Sequence, residues 1–128
     1  MGNDEEGVVN PSADEPLQSL SDTQILARVE PMMEECLAGS NENDHARHVR
    51  DFSDRLKAIV TPENLKRQLT PRRHGVFTTR EVVGIFRQRA GVGGVWLQRC
   101  SASDDELVNH AIFIDTPDGL KIDHCLIC

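Results

Sequence analysis

The chain has 128 residues, 14 Lys plus Arg, 21 Asp plus Glu and a formal net charge of −7. This length suits one domain, and 38% hydrophobic with 27% charged residues excludes both a wholly disordered chain and a bilayer-spanning one, because no run nears the roughly 20 apolar residues of a spanning helix. The acidic total opposes non-specific nucleic-acid binding, and Met1-Gly2-Asn3-Asp4-Glu5-Glu6 lacks the basic and apolar regions of a secretory leader, so none is expected.

The first 22 residues carry six acids and no base. With few large apolar groups, such a stretch cannot offset its ordering entropy. Residues 1–20 are therefore expected to form a flexible acidic tail, and 21–128 a single domain. Ser21-Asp22-Thr23-Gln24 predicts a capping box. Ile25, Val29, Met32, Met33, Cys36 and Leu37 then share one helical stripe, with Gly39 as the expected stop. Pro31 lies within that stripe and predicts either a kink or a regular helix beginning near Glu30. Asp44 is placed to cap a second helix reaching Val60, with Val49, Phe52, Leu56, Ile59 and Val60 as its apolar stripe. Thr61 caps a short third helix, with Pro62 in its first position and Leu65 and Leu69 facing inward.

From residue 76 the pattern changes to β-branched and aromatic runs. Residues 76–89, 95–101, 106–114 and 120–128 read as strands. They are separated by Gly91, Gly93 and Gly94, by 102–105, and by Thr116-Pro117-Asp118-Gly119, which suits a type I turn. Turns this short join antiparallel neighbours. The predicted class is α+β, with three N-terminal helices packed on a curved four-stranded antiparallel sheet.

The order of these pieces resembles the nuclear transport factor 2-like superfamily, also called cystatin-like or SnoaL-like. The resemblance rests on the helical stretch 44–60, on Thr61-Pro62-Glu63-Asn64-Leu65, on Gly75 entering the strands, and on Asp118-Gly119-Leu120-Lys121-Ile122-Asp123-His124 in the last strand. Asp51-Phe52-Ser53-Asp54-Arg55-Leu56-Lys57 is similar to uncharacterised bacterial members. The resemblance covers about residues 21–128. It implies a cone of helices wrapped by a curved sheet, with a pocket at the wide end. Members of the superfamily include isomerases, dehydratases, cyclases, ligand binders and dimeric modules, so fold alone does not assign function. Members that stabilise an oxyanion through tyrosine hydroxyls do not transfer to this chain, which contains no Tyr.

The last hairpin carries the candidate chemistry. If Thr116 faces Gly119, then His110 faces Cys125. Alternation places Val108, His110, Ile112, Ile114, Asp123, Cys125 and Ile127 on one side. Leu107, Asn109, Ala111, Phe113, Leu120, Ile122, His124 and Leu126 occupy the other. A His110–Cys125 pair would be a thiol–imidazole nucleophile, or simply a buried thiol beside a polar residue. Asp123 and His124 point to opposite faces, so only one enters a pocket. His124 is placed there, with Trp96, Asn109 and Phe113 as the other expected pocket residues. His124, Asp123 and His110 are the candidate acid–base groups.

His45 and His48, with Asp44 and Asp51 nearby, have helical spacing that suits either a metal or a solvated first turn. No metal and no cofactor are expected. Cys125-Leu126-Ile127-Cys128 is spaced as C-x-x-C, yet strand positions three apart face opposite ways. The four cysteines read as reduced thiols of a cytoplasmic protein. Between 64 and 99, Lys66, Arg67, Arg72, Arg73, Arg80, Arg87, Arg89 and Arg99 face only Glu81. They suit an anionic partner, such as nucleic acid or the chain's own acidic tail, or a solvated sheet face.

The expected function is a non-enzymatic module that binds a small apolar molecule or another protein. The alternative is a small lyase or isomerase using His124 or Asp123. The sheet is apolar on both faces and so few helices cover only one, which predicts a homodimer centred on residues 95–100 and 108–127.

Overall fold

The computed structural model describes residues 15–69 and 74–128. Helix α1 (Asp22–Glu42) begins at the predicted capping box: Gln24 N donates to Ser21 Oγ, and Ser21 N donates to Gln24 Oε1. It continues through Pro31 and past Gly39, ending at Asn43 in the left-handed conformation (φ 55°). Gly39 serves helix packing. A Cβ there would lie 2.3 Å from the backbone nitrogen of His48, so its absence lets α2 (His45–His48) lie directly against α1.

The predicted helix over 44–60 is two helices, which makes four α-helices among the described residues. Asp44 caps α2 by accepting from Arg47 N, and Ser53 caps α3 (Asp54–Ile59) by accepting from Leu56 N. Between them residues 51–53 run beside the last strand. Ile122 N donates to Asp51 O at 2.7 Å and Ser53 N donates to Ile122 O at 2.8 Å. These bonds cover an otherwise open sheet edge, and that interaction outweighs the helical periodicity. Thr61 precedes α4 (Pro62–Leu69) and accepts from Asn64 N, as expected.

Strands β1 (Phe77–Arg87), β2 (Val92–Cys100), β3 (Leu107–Thr116) and β4 (Gly119–Ile127) form an antiparallel sheet in chain order. With the helices packed against it, this is the predicted α+β class. The core joins Ile25, Val29, Met33, Cys36 and Leu37 of α1 to Phe52, Val92, Trp96, Ala111, Phe113 and Ile122. Leu17 and Leu20, expected in the flexible tail, are buried in this core. They lie three residues apart around a 3-10 turn (Leu17–Ser19), so both face the same way. Asp115 accepts from Leu17 N, while Arg87 donates to the carbonyls of Gln18 and Leu20. The expected tail residues 1–14 lie outside the described residues, as do Arg72 and Arg73.

The β3–β4 register begins as predicted, with Thr116 opposite Gly119 and Phe113 opposite Ile122. Asp123 is then an extra residue, and beyond it Ile112 faces His124, Ala111 faces Cys125 and His110 faces Leu126. A bulge inverts the alternation of everything that follows. The expected His110–Cys125 pair therefore does not form. Cys125 and Ile127 pack towards the core, while His124 joins His110 on the outer face.

Candidate functional site

A cavity of about 480 Å³ opens between the helices and the end of β4. Cys36 and Leu37 of α1, His48 of α2, Leu56 of α3, Leu69 of α4 and Cys125 of β4 contribute to its wall. Phe52 closes one side from the segment that pairs with β4. The lining is mostly hydrocarbon and sulfur, so the site favours an apolar guest.

His48 is its main polar group. His48 Nδ1 lies 2.8 Å from the carbonyl oxygen of Cys36. A carbonyl only accepts, so Nδ1 carries the hydrogen, which leaves Nε2 as the basic nitrogen of the neutral ring. Burial pushes the His48 pKa below its usual value, against the pull of that carbonyl. Cys36 Sγ stands 3.6 Å from the same Nδ1. The Cys125 thiol, within hydrogen-bonding reach, and burial together push the Cys36 thiol well above its usual range. Cys36 is therefore a neutral thiol at pH 7.

The residues expected to form the pocket lie elsewhere. Trp96, Asn109 and Phe113 are fully buried core side chains. Trp96 Nε1 donates to Glu30 Oε2, and Asn109 Nδ2 donates to Gln98 Oε1. His124 and His110 lie side by side on the outer face, with ring centroids 5.3 Å apart. None of Trp96, Asn109, Phe113 and His124 contributes to the cavity wall. Asp123 accepts from Ser53 Oγ at 2.6 Å and from Arg55, and the Ser53 bond is the main cause holding its carboxyl below the usual range. A general base working near neutrality needs the opposite shift.

His45 and His48 do not converge. His45 Nε2 bonds the Val60 carbonyl at 2.7 Å, while His48 bonds that of Cys36. Asp44 is occupied as a cap and Asp51 pairs with Arg50. Among the described residues no group of three His, Cys, Asp or Glu is placed to hold a metal ion. No helix among them is long and apolar enough to cross a membrane.

Three arginines of the basic stretch pair with acids. Arg80 binds Glu30 and Glu34, Arg87 binds Asp22, and Arg99 binds Glu106. The sheet's outer face carries apolar side chains beside His110 and His124. Phe86, Val108 and Leu126 are each more than half exposed there, around the partly exposed Val95, Leu97 and Ile112. A Cβ built at Gly93 would lie 3.6 Å from His110 Nε2 and 3.9 Å from Phe86 Cβ, so these side chains share that face.

The sequence reading missed the grouping of Cys36, His48 and Cys125. The helical stripe does turn Cys36 inward, but only the bulge at Asp123 turns Cys125 towards it. No family model matches this chain, no curated protein matches it, and no solved structure matches it.

Proposed function

We propose that this chain is a non-enzymatic binding module that holds a small apolar molecule in its cavity and pairs with a second copy through the outer sheet face. The observation that carries this reading is the cavity itself. Its volume of about 480 Å³ falls in the range of small-molecule sites, and its buried imidazole is engaged by the Cys36 carbonyl. Among the described residues, four α-helices pack with a four-stranded antiparallel meander, which supports the nuclear transport factor 2-like resemblance, and we include membership of that superfamily in the proposal. The exposed Phe86, Val108 and Leu126 support the dimer, because a contiguous apolar patch usually marks a contact surface. The four free cysteines suit a reducing compartment, the cytoplasm.

The test is native mass spectrometry of the purified chain, followed by titration with an apolar fluorescent naphthalene dye. One small molecule or one dye per chain is expected. Leu69→Trp fills the cavity from α4 and should abolish binding while the circular dichroism stays unchanged. Dye binding that persists in that variant, or its absence from the parent, overturns the reading.

A further inference from the structure

Cys36 and Cys125 belong to different layers, α1 and β4, yet both face one cavity. Cys36 is buried and has His48 Nδ1–H 3.6 Å from its sulfur. Cys125 is half-exposed and packs against the core that contains Cys36. The exposed Cys128 lies three positions further along, past the end of β4, and is not part of that cavity's wall. Cys100 ends β2 opposite Phe77 of β1. The fold thus sets a partly exposed thiol and a buried thiol on the wall of one cavity.

We infer that Cys36 and Cys125 form a redox-responsive dithiol site, which a hydroperoxide converts into a disulfide joining α1 to β4 across the cavity wall. Cys125 reacts first, because it is the more exposed of the two cysteines on that cavity. Its thiolate attacks the peroxide; an S–O bond forms, the O–O bond breaks and an alcohol or water leaves, giving the sulfenic acid. The Cys36 sulfur then attacks the Cys125 sulfur. The S–S bond forms, the S–O bond breaks, and the departing hydroxyl takes the Cys36 proton as water. In total two thiols and one hydroperoxide give one disulfide, one alcohol or water, and one water.

His48 has a definite part in the second step. Its Nδ1 carries a hydrogen and cannot take the Cys36 proton. It can donate to the sulfur as negative charge develops there. The imidazole is neutral and supplies no fixed positive charge, so the site reacts more slowly than a cysteine activated by a cation. Reduction by a dithiol restores both thiols. None of this chemistry depends on what the cavity binds.

The experiment treats the reduced full chain with graded hydrogen peroxide. Free thiols are counted after denaturation, and the peptides are mapped by mass spectrometry. The count should fall from four to two, with one intramolecular link between Cys36 and Cys125. Cys128→Ser should form the same link. In Cys36→Ser the sulfenic acid on Cys125 persists and is trapped by dimedone. A link from Cys125 to Cys128, a link between chains, or four thiols retained in the unsubstituted protein overturns the proposal. The map of the unsubstituted chain decides the matter even if a serine variant fails to fold.

Discussion

Ser53 Oγ donates a 2.6 Å hydrogen bond to Asp123 Oδ1 while accepting a 3.2 Å bond from Leu56 N. One hydroxyl thus caps α3 and holds the bulge of β4. The guanidinium of Arg55, in the first turn of that helix, binds the same carboxylate and the Asp123 carbonyl. The orientation of Cys125 follows from this link, because the bulge sets which face the last strand turns inward. Ser53→Ala removes the cap and a bond to a charged acceptor together, and should cost about 2 kcal/mol. Urea unfolding should show a lower midpoint with an unchanged slope; an unchanged midpoint would refute the linkage.

Acid should destabilise the protein in two separate windows. Burial lowers the His48 pKa, so the unfolded chain binds a proton that the folded chain resists. The stability this contributes is complete above the ordinary histidine value of about 6.5 and is lost as pH falls below it. Asp123 is lowered mainly by Ser53, and Glu35 mainly by Arg47. Their contribution is present above the ordinary carboxylate values of about 4 and is lost as pH falls towards the folded values. His48→Gln should reduce the dependence between pH 5 and about 6.5, leaving the part due to His124, whose pKa burial also lowers, and should leave the lower window intact. Thermal melts across pH 3 to about 8 give the comparison; equal slopes in the upper window would count against a neutral His48.

The parts of this fold that depend on local chemistry were legible. Ser21 and Gln24, Asp44, and Thr61 with Pro62 mark helix starts where they were read, and the Thr116–Gly119 turn sets the hairpin register up to Ile122. The parts that depend on distant partners were not legible. Val49, Phe52 and Leu56 fit one helical stripe, yet β4 draws residues 51–53 into edge pairing. Asp123 carries no bulge signal of its own; its register depends on Ser53, 70 positions earlier. One unseen residue exchanged the faces of His124 and Cys125, and the candidate site moved with them.

The Glu30 carboxylate bridges the two sides of the core. Its Oε1 accepts from Arg80 at 3.0 and 2.6 Å, and its Oε2 accepts from Trp96 Nε1 at 3.2 Å. The Arg80 side chain is only 11% exposed. Glu30→Ala leaves the largely buried Arg80 guanidinium with Glu34 and the residue-30 carbonyl only, and removes the acceptor of a buried indole N–H, which should cost about 2 kcal/mol. Glu30→Gln keeps a single acceptor oxygen, able to serve Arg80 or Trp96 but not both, and no charge, and should cost about half as much. Trp96, the single tryptophan, reports both through its emission during denaturation. No loss in Glu30→Gln would mean that neither the charge nor the second acceptor oxygen contributes.

Gly39 is the contact on which the His48 position depends. A methyl group there would sit 2.3 Å from His48 N and 2.5 Å from His48 Cα, both backbone atoms. Gly39→Ala must push α2 away from α1, lengthening the 2.8 Å bond from His48 Nδ1 to the Cys36 carbonyl. The gain in helix propensity, about 1 kcal/mol, is smaller than the strain of moving packed backbone. The expected result is a net loss of about 1–3 kcal/mol together with a net rise of the His48 pKa, because relief of burial, the larger cause, outweighs the weakened carbonyl bond, which by itself lowers it. Proton titration of the His48 ring by nuclear magnetic resonance reads the second effect, and an unmoved ring pKa would show that α2 had not shifted.

The proposed sheet-to-sheet pairing gives the last prediction. Val108 is 52% exposed in the single chain, and Ile112 lies on the same outer face opposite His124. In one chain, a charge at an exposed strand position changes stability by no more than about 0.5 kcal/mol. In a two-fold pair the same position lies inside the contact, because each copy presents the same patch. An unpaired carboxylate there costs about 3–5 kcal/mol per copy. Val108→Asp and Ile112→Asp should therefore convert a species of twice 14.3 kDa into one of 14.3 kDa at tens of micromolar, with the secondary structure retained. Light scattering coupled to gel filtration makes the measurement. A monomeric parent chain at that concentration, or substituted chains that remain paired, would exclude this face as the contact.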